Sequence, residues 1–197
     1  DRTAADLSLA AQVRDLTAVI DHLGFPQVAL VGAGPGSPVA LAYAATFPAR
    51  LSHLLLWTAY ASRADLPAAV HSLGRLVRED WTLYTEVAAR AVYGWQPDEP
   101  ARQYAAFLRT CVTPAALAAN EAALQAVDVA WALPRITTPT LVMTRRDAPL
   151  LGVDVARALA TRIADAQLCI LDGASLAPFM GDSAAVLGAM TDFLAAA

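Results

Sequence analysis

Residues 32–36, Gly-Ala-Gly-Pro-Gly, follow an apolar run at 28–31 and precede Ser37-Pro38, a pair suited to opening a helix. A strand, a tight glycine turn and a helix in that order form the setting in which a G-x-S-x-G pattern presents a serine nucleophile. Gly32 and Gly36 take the two outer glycine positions, so the serine position falls on Gly34, which has no side chain to attack anything. Glycine adopts the strained backbone of such a turn without the penalty of a Cβ, so the turn can outlive the chemistry.

Other residues fill the gap poorly. A serine nucleophile needs a histidine within hydrogen-bond reach and a carboxylate to orient that histidine. Ser37 lies three residues past the turn, in the first turn of the helix, where a small side chain serves close packing against the sheet. Ser175 sits on a loop with no base beside it, and bonding to backbone is its expected use. His22 falls on the exposed side of the first helix, His53 starts a strand, and His71 lies in a helical region where it could point into a cleft. None has the spacing of a base. All fourteen basic residues are arginine, which excludes a Schiff-base lysine, pyridoxal phosphate attachment and a phosphate-loop lysine. Cys111 and Cys169 fit neither a C-x-x-C motif nor a disulfide framework and read as small buried residues. No His, Cys or carboxylate cluster has metal-ligand spacing, so neither a metal nor a cofactor is expected.

The elements that position these residues follow from hydrophobic periodicity. Leu9, Val13, Leu16, Val19, Ile20 and Leu23 recur at three and four residues, predicting a helix that packs by that face, capped by Ser8 and ended by Gly24. Residues 27–31 predict a strand covered on both sides in a parallel sheet, and 51–57 a second one after the helix over 38–47. Residues 61–133 change to helical segments at 73–92, 101–112 and 115–127, punctuated by Gly94, Pro97, Pro100 and Pro114. The sheet resumes at 138–143, followed by a helix at 153–163, a strand at 167–171 and a helix at 183–194. The fold class is therefore α/β with a parallel sheet, its core formed by 1–60 and 134–197, with a helical cap over 61–133.

Several phrases resemble the α/β-hydrolase superfamily, and the resemblance runs nearly end to end. Phe47-Pro48-Ala49-Arg50-Leu51 is similar to the family's H-P-E-R-V, and Pro139-Thr140-Leu141-Val142 to its P-T-L-V strand, which places Asp147 at the triad acid or beside it. Residues 173–179, Gly-Ala-Ser-Leu-Ala-Pro-Phe, resemble the family's G-x-x-H-x-P-F loop, which places Leu176 at the histidine. Arg145-Arg146-Asp147 and residues 178–182, Pro-Phe-Met-Gly-Asp, resemble the branch found beside adenylate cyclases and helix-turn-helix regulators. The resemblance implies that the four strands match strands five to eight of the fold. The strand at 27–31 then has an unpaired edge, open to a preceding segment or to self-association.

Both the nucleophile position, Gly34, and the base position, Leu176, thus lack functional groups, and removing either group from a triad costs on the order of a millionfold in turnover. The sequence points to a hydrolase-like, non-catalytic module that binds a small apolar molecule or a partner. The expected contacts are Ala33, Gly34 and Pro35 of the turn, the aromatics Trp57, Tyr60, Trp81 and Tyr84, and Ser175. An ester hydrolase with a displaced or externally completed site is one alternative. A flavin or nicotinamide dinucleotide domain is another, reading Gly32, Gly34 and Ser37 as G-x-G-x-x-G, although the third glycine is serine and Trp57-Thr58 ends the strand where a ribose-binding acid belongs. A net charge of −4 without a basic cluster argues against nucleic acid, no stretch is apolar enough to span a bilayer, and the N-terminus lacks a secretory signal, so a cytoplasmic location is expected.

Overall fold

The computed structural model describes residues 6–95 and 99–196; the chain start and Pro97 lie outside them. Four parallel strands, β1 (Val28–Ala33), β2 (Leu51–Trp57), β3 (Thr140–Arg145) and β4 (Gln167–Leu171), pair in the order β1-β2-β3-β4. Helix α1 (Leu9–Leu23) starts where the Ser8 hydroxyl accepts the Ala11 N–H and stops at Gly24, whose φ of +69° is left-handed. Leu9, Val13, Leu16 and Ile20 of α1 pack on the core as read, whereas Val19 and Leu23 are more than half exposed. The helix rests mainly on α2 (Ser37–Thr46), and its apolar stripe is wider than that contact.

The strands alternate between two cores. Leu54, Leu56 and Val142 face α2 and α7 (Val153–Ala160), while Leu55, Trp57, Leu141 and Met143 face Val186 and Phe193 of α8 (Ser183–Ala195). The expectation that β1 is covered on both faces is corrected. Val28 and Leu30 pack inward, but Ala29, Val31 and Ala33 are exposed, because β1 is at the sheet edge and α8 covers β2 and β3 instead. Gly32 is the exception on that strand: a Cβ there would stand 2.7 Å from the Ala40 Cβ, so glycine permits α2 to lie close against the sheet.

Between β2 and β3 run α3 (Ala68–Glu79), α4 (Trp81–Tyr93), α5 (Glu99–Cys111) and α6 (Pro114–Gln125). The single helix expected over 73–92 is two helices, broken at Asp80, whose backbone is extended and whose carboxylate accepts the Leu83 N–H to cap α4. The two ends of this helical block meet at its root, where the Val129 N–H donates to Ala61 O and Ser62 bridges Asp128. Helix α7 stops at Ala160, three residues early, as the chain tightens into turn bonds from Arg162 to Leu159 and Ile163 to Ala160. Strand β3 starts at Thr140, after Pro139, and extends to Arg145. Cys111 and Cys169 are half-buried and unbonded. Among the described residues no helix is long and apolar enough to cross a membrane.

Candidate functional site

The parallel strands bring Gly34, Asp147 and the 172–182 loop to one end of the sheet, where each follows the C-terminus of β1, β3 or β4. Gly34 is buried with φ +46°, and a Cβ built on it would meet nothing within 4 Å. The turn has room for a side chain at this position, but its backbone would strain one. Pro35 follows, and a proline has no backbone N–H. In a G-x-S-x-G turn the amide after the nucleophile supplies half of the oxyanion hole, so position 35 lacks that donor as well.

The hydroxyls near the turn are committed. Ser37 is fully buried; its Oγ donates to Gly34 O at 2.7 Å and accepts the Tyr60 N–H at 3.1 Å. Ser37 therefore ties α2 to the chain leaving β2. Ser175 Oγ donates to Val92 O and accepts the Ala177 N–H at 3.1 Å. The Leu176 N–H donates to the same Val92 carbonyl at 3.1 Å, so the loop after β4 satisfies an unpaired carbonyl at the end of α4. The histidines are elsewhere. His22 is exposed, His53 is buried edge-on to Phe193 near the start of β2, and His71 on α3 lies 3.5 Å from the Arg63 guanidinium.

Asp147 is exposed, and its N–H donates to Gly173 O at 3.0 Å. Among the described residues Asp147 forms no ion pair with Arg145 or Arg146. Arg146 pairs with Asp172 at 3.2 Å, and Arg145 turns inward. The Arg145 guanidinium is 1% exposed and donates to the carbonyls of Asp172 (2.9 Å), Met180 (2.6 Å) and Asp182 (3.4 Å), with the Trp57 ring 5.7 Å away. Carbonyl dipoles and an aromatic face offset this charge. Gly173, at φ +106°, lies against the guanidinium; a Cβ there would come within 3.1 Å of it. Reading the sequence missed this pin, for which the flanking Gly173 and Gly181 were the available signal.

The aromatic residues expected as contacts pack as follows. Trp57 and Tyr60 are buried, with Trp57 Nε1 donating to Leu176 O at 2.7 Å. Burial raises the Tyr60 hydroxyl above its ordinary pKa. Trp81 and Tyr84 stack on each other, centroids 5.5 Å apart, and burial pushes Tyr84 up to about 12. Ala33 and Pro35 are exposed on the turn, and Ser175 borders a cavity of about 480 Å³ with Tyr93, Gly94 and Arg145. The largely apolar cleft, about 440 Å³, opens instead between α3 and α4, lined by Leu73, Leu76, Val87, Trp95 and Leu150. Leu150 belongs to the loop that carries Asp147. Sequence reading did not foresee this lining.

The fold as a whole superposes on solved structures. An esterase from Exiguobacterium antarcticum superposes with a TM-score of 0.82 at 20% identity, over 96% of this chain and 75% of that one. A hydrolase from Oleispira antarctica superposes with a TM-score of 0.83 at 17% identity, over 97% and 73%. The chain therefore has the α/β-hydrolase fold. In sequence it is 27% identical, over 97% of its length and 75% of the relative, to RutD of Stutzerimonas stutzeri (strain A1501), designated a proposed carbamate hydrolase. No protein-family model matches the chain.

Proposed function

We propose that this chain is a non-catalytic α/β-hydrolase-fold domain, with 61–133 as its cap, that binds a small apolar molecule in the cleft between α3 and α4. One observation carries the reading: the dipeptide Gly34-Pro35 at the turn offers neither a nucleophilic side chain nor the amide that would stabilise an oxyanion. Leu176 at the base position and the committed hydroxyls of Ser37 and Ser175 support it. The cleft has the size and apolar character of a small-molecule pocket. The fold likeness goes against the dinucleotide alternative.

Ester hydrolysis is the second reading, favoured by the names of the similar proteins and by the open edge of β1, where an added strand could bring further groups. Treatment with a fluorophosphonate followed by intact-mass measurement separates the two. The expected spectrum shows unmodified protein; a single stoichiometric adduct, lost on Ser37→Ala or Ser175→Ala, would establish a displaced serine nucleophile.

A further inference from the structure

Helix α3 divides two depressions. On one side is the apolar cleft, and on the other a groove of about 480 Å³ between α3 and α6, whose small residues Gly74, Ala118 and Ala122 lie among charged ones. Arg75 and Glu79 border both, so the helix is a shared ridge between an apolar and a charged compartment. A ligand with one apolar and one charged end matches that arrangement.

The charges specify the end. Glu121 on α6 is held by the buried Arg63, Nη1 to Oε2 3.0 Å, and this neutralises it. The pair lies beside Gly74 on the groove wall: a Cβ there would make ordinary contacts, 3.4 Å from the Glu121 carboxylate and 3.8 Å from the Arg63 guanidinium. The groove then retains Arg75 and Arg78 against Glu79, with His71 on the same wall. Arg75 and Arg78 are three residues apart and so are neighbours on the helix surface. Arg75 spends one Nη2 bond on Ser72 Oγ at 3.0 Å. Two guanidiniums against one carboxylate favour a single negative charge, Glu79 disfavours a second, and a planar carboxylate matches the guanidinium fork.

We infer that the ligand is an amphiphilic monocarboxylate, its hydrocarbon chain in the cleft of Leu73, Leu76, Val87 and Trp95 and its carboxylate on Arg75 and Arg78. This rests on the ligand-binding reading above and gives it a chemical class.

The test is binding of decanoate below its micellar concentration, followed by calorimetry and by tryptophan fluorescence, beside decan-1-ol, decyltrimethylammonium and acetate. Decanoate is expected to bind more tightly than decan-1-ol, with acetate and the cation failing to bind. The variant Arg75→Gln/Arg78→Gln, which alters only exposed side chains and should melt like the parent, is expected to weaken decanoate about tenfold and leave decan-1-ol unchanged. Added salt should weaken decanoate alone. Equal affinity for decanoate and decan-1-ol, or an unaltered double variant, would overturn the carboxylate assignment while leaving an apolar cleft. Binding of neither would overturn both. Release of decanoate from its p-nitrophenyl ester by the same preparation would contradict the non-catalytic reading without touching the binding result.

Discussion

At position 34 a serine side chain would meet open space, although it would carry the strain of φ +46°. On the non-catalytic reading proposed above, lack of space is therefore not the reason. A restored hydroxyl would still face a developing oxyanion with one amide missing at Pro35. The expected outcome is that Gly34→Ser/Leu176→His hydrolyses p-nitrophenyl butyrate at the background rate, whereas the same variant with Pro35→Ala exceeds it by about a hundredfold, the usual worth of one oxyanion donor. Equal rates for the two variants would remove Pro35 from the account. Tyr84 supplies a second test at this scale. Its folded pKa is raised from 10.0 to about 12, chiefly by burial. Its contribution to stability is complete below the unfolded pKa near 10 and is lost as pH rises toward 12, because there the unfolded chain binds fewer protons than the folded one. Urea melts should show stability falling across that window, and Tyr84→Phe should flatten the fall; an identical slope in the variant would contradict the assignment.

Among the elements, the loop between β4 and α8 is held from below by Arg145 and from above by the Val92 carbonyl at the end of α4. Arg145→Met keeps much of the volume but leaves buried carbonyls without donors, and the expected loss is about 3 kcal/mol in denaturant melts. Hydrogen exchange at the Leu176 amide should accelerate with it. A variant as stable as the parent would show that the guanidinium holds nothing essential. The strands β2 and β4 were legible because apolar runs bounded by turn residues mark both ends. The break at Asp80 was not, since an aspartate in a helical pattern reads as an exposed side chain until its cap bond to Leu83 is seen. Arg145 was hidden for a related reason. Beside Arg146 and Asp147 it reads as a surface charge, and the carbonyls that bury it come from residues 27 to 37 positions further on.

Over the whole molecule, the glycine turn at 32–36 was readable from five consecutive residues, whereas the cleft was not, because Leu73, Val87, Trp95 and Leu150 converge only through the packing of α3, α4 and the loop after β3. The same contrast applies to β1. Its apolar run predicted a doubly covered strand, and its edge position leaves Val31 53% exposed. At this end of the sheet Gly32 allows close packing, Gly34 has a positive φ, and the loop after β4 is strapped to α4 through Leu176. The most direct measurement is the rate of p-nitrophenyl butyrate hydrolysis by the purified chain against buffer and against the fluorophosphonate-treated protein. A rate equal to buffer, unchanged by the reagent, is the predicted result; turnover well above buffer that the reagent abolishes would contradict the account.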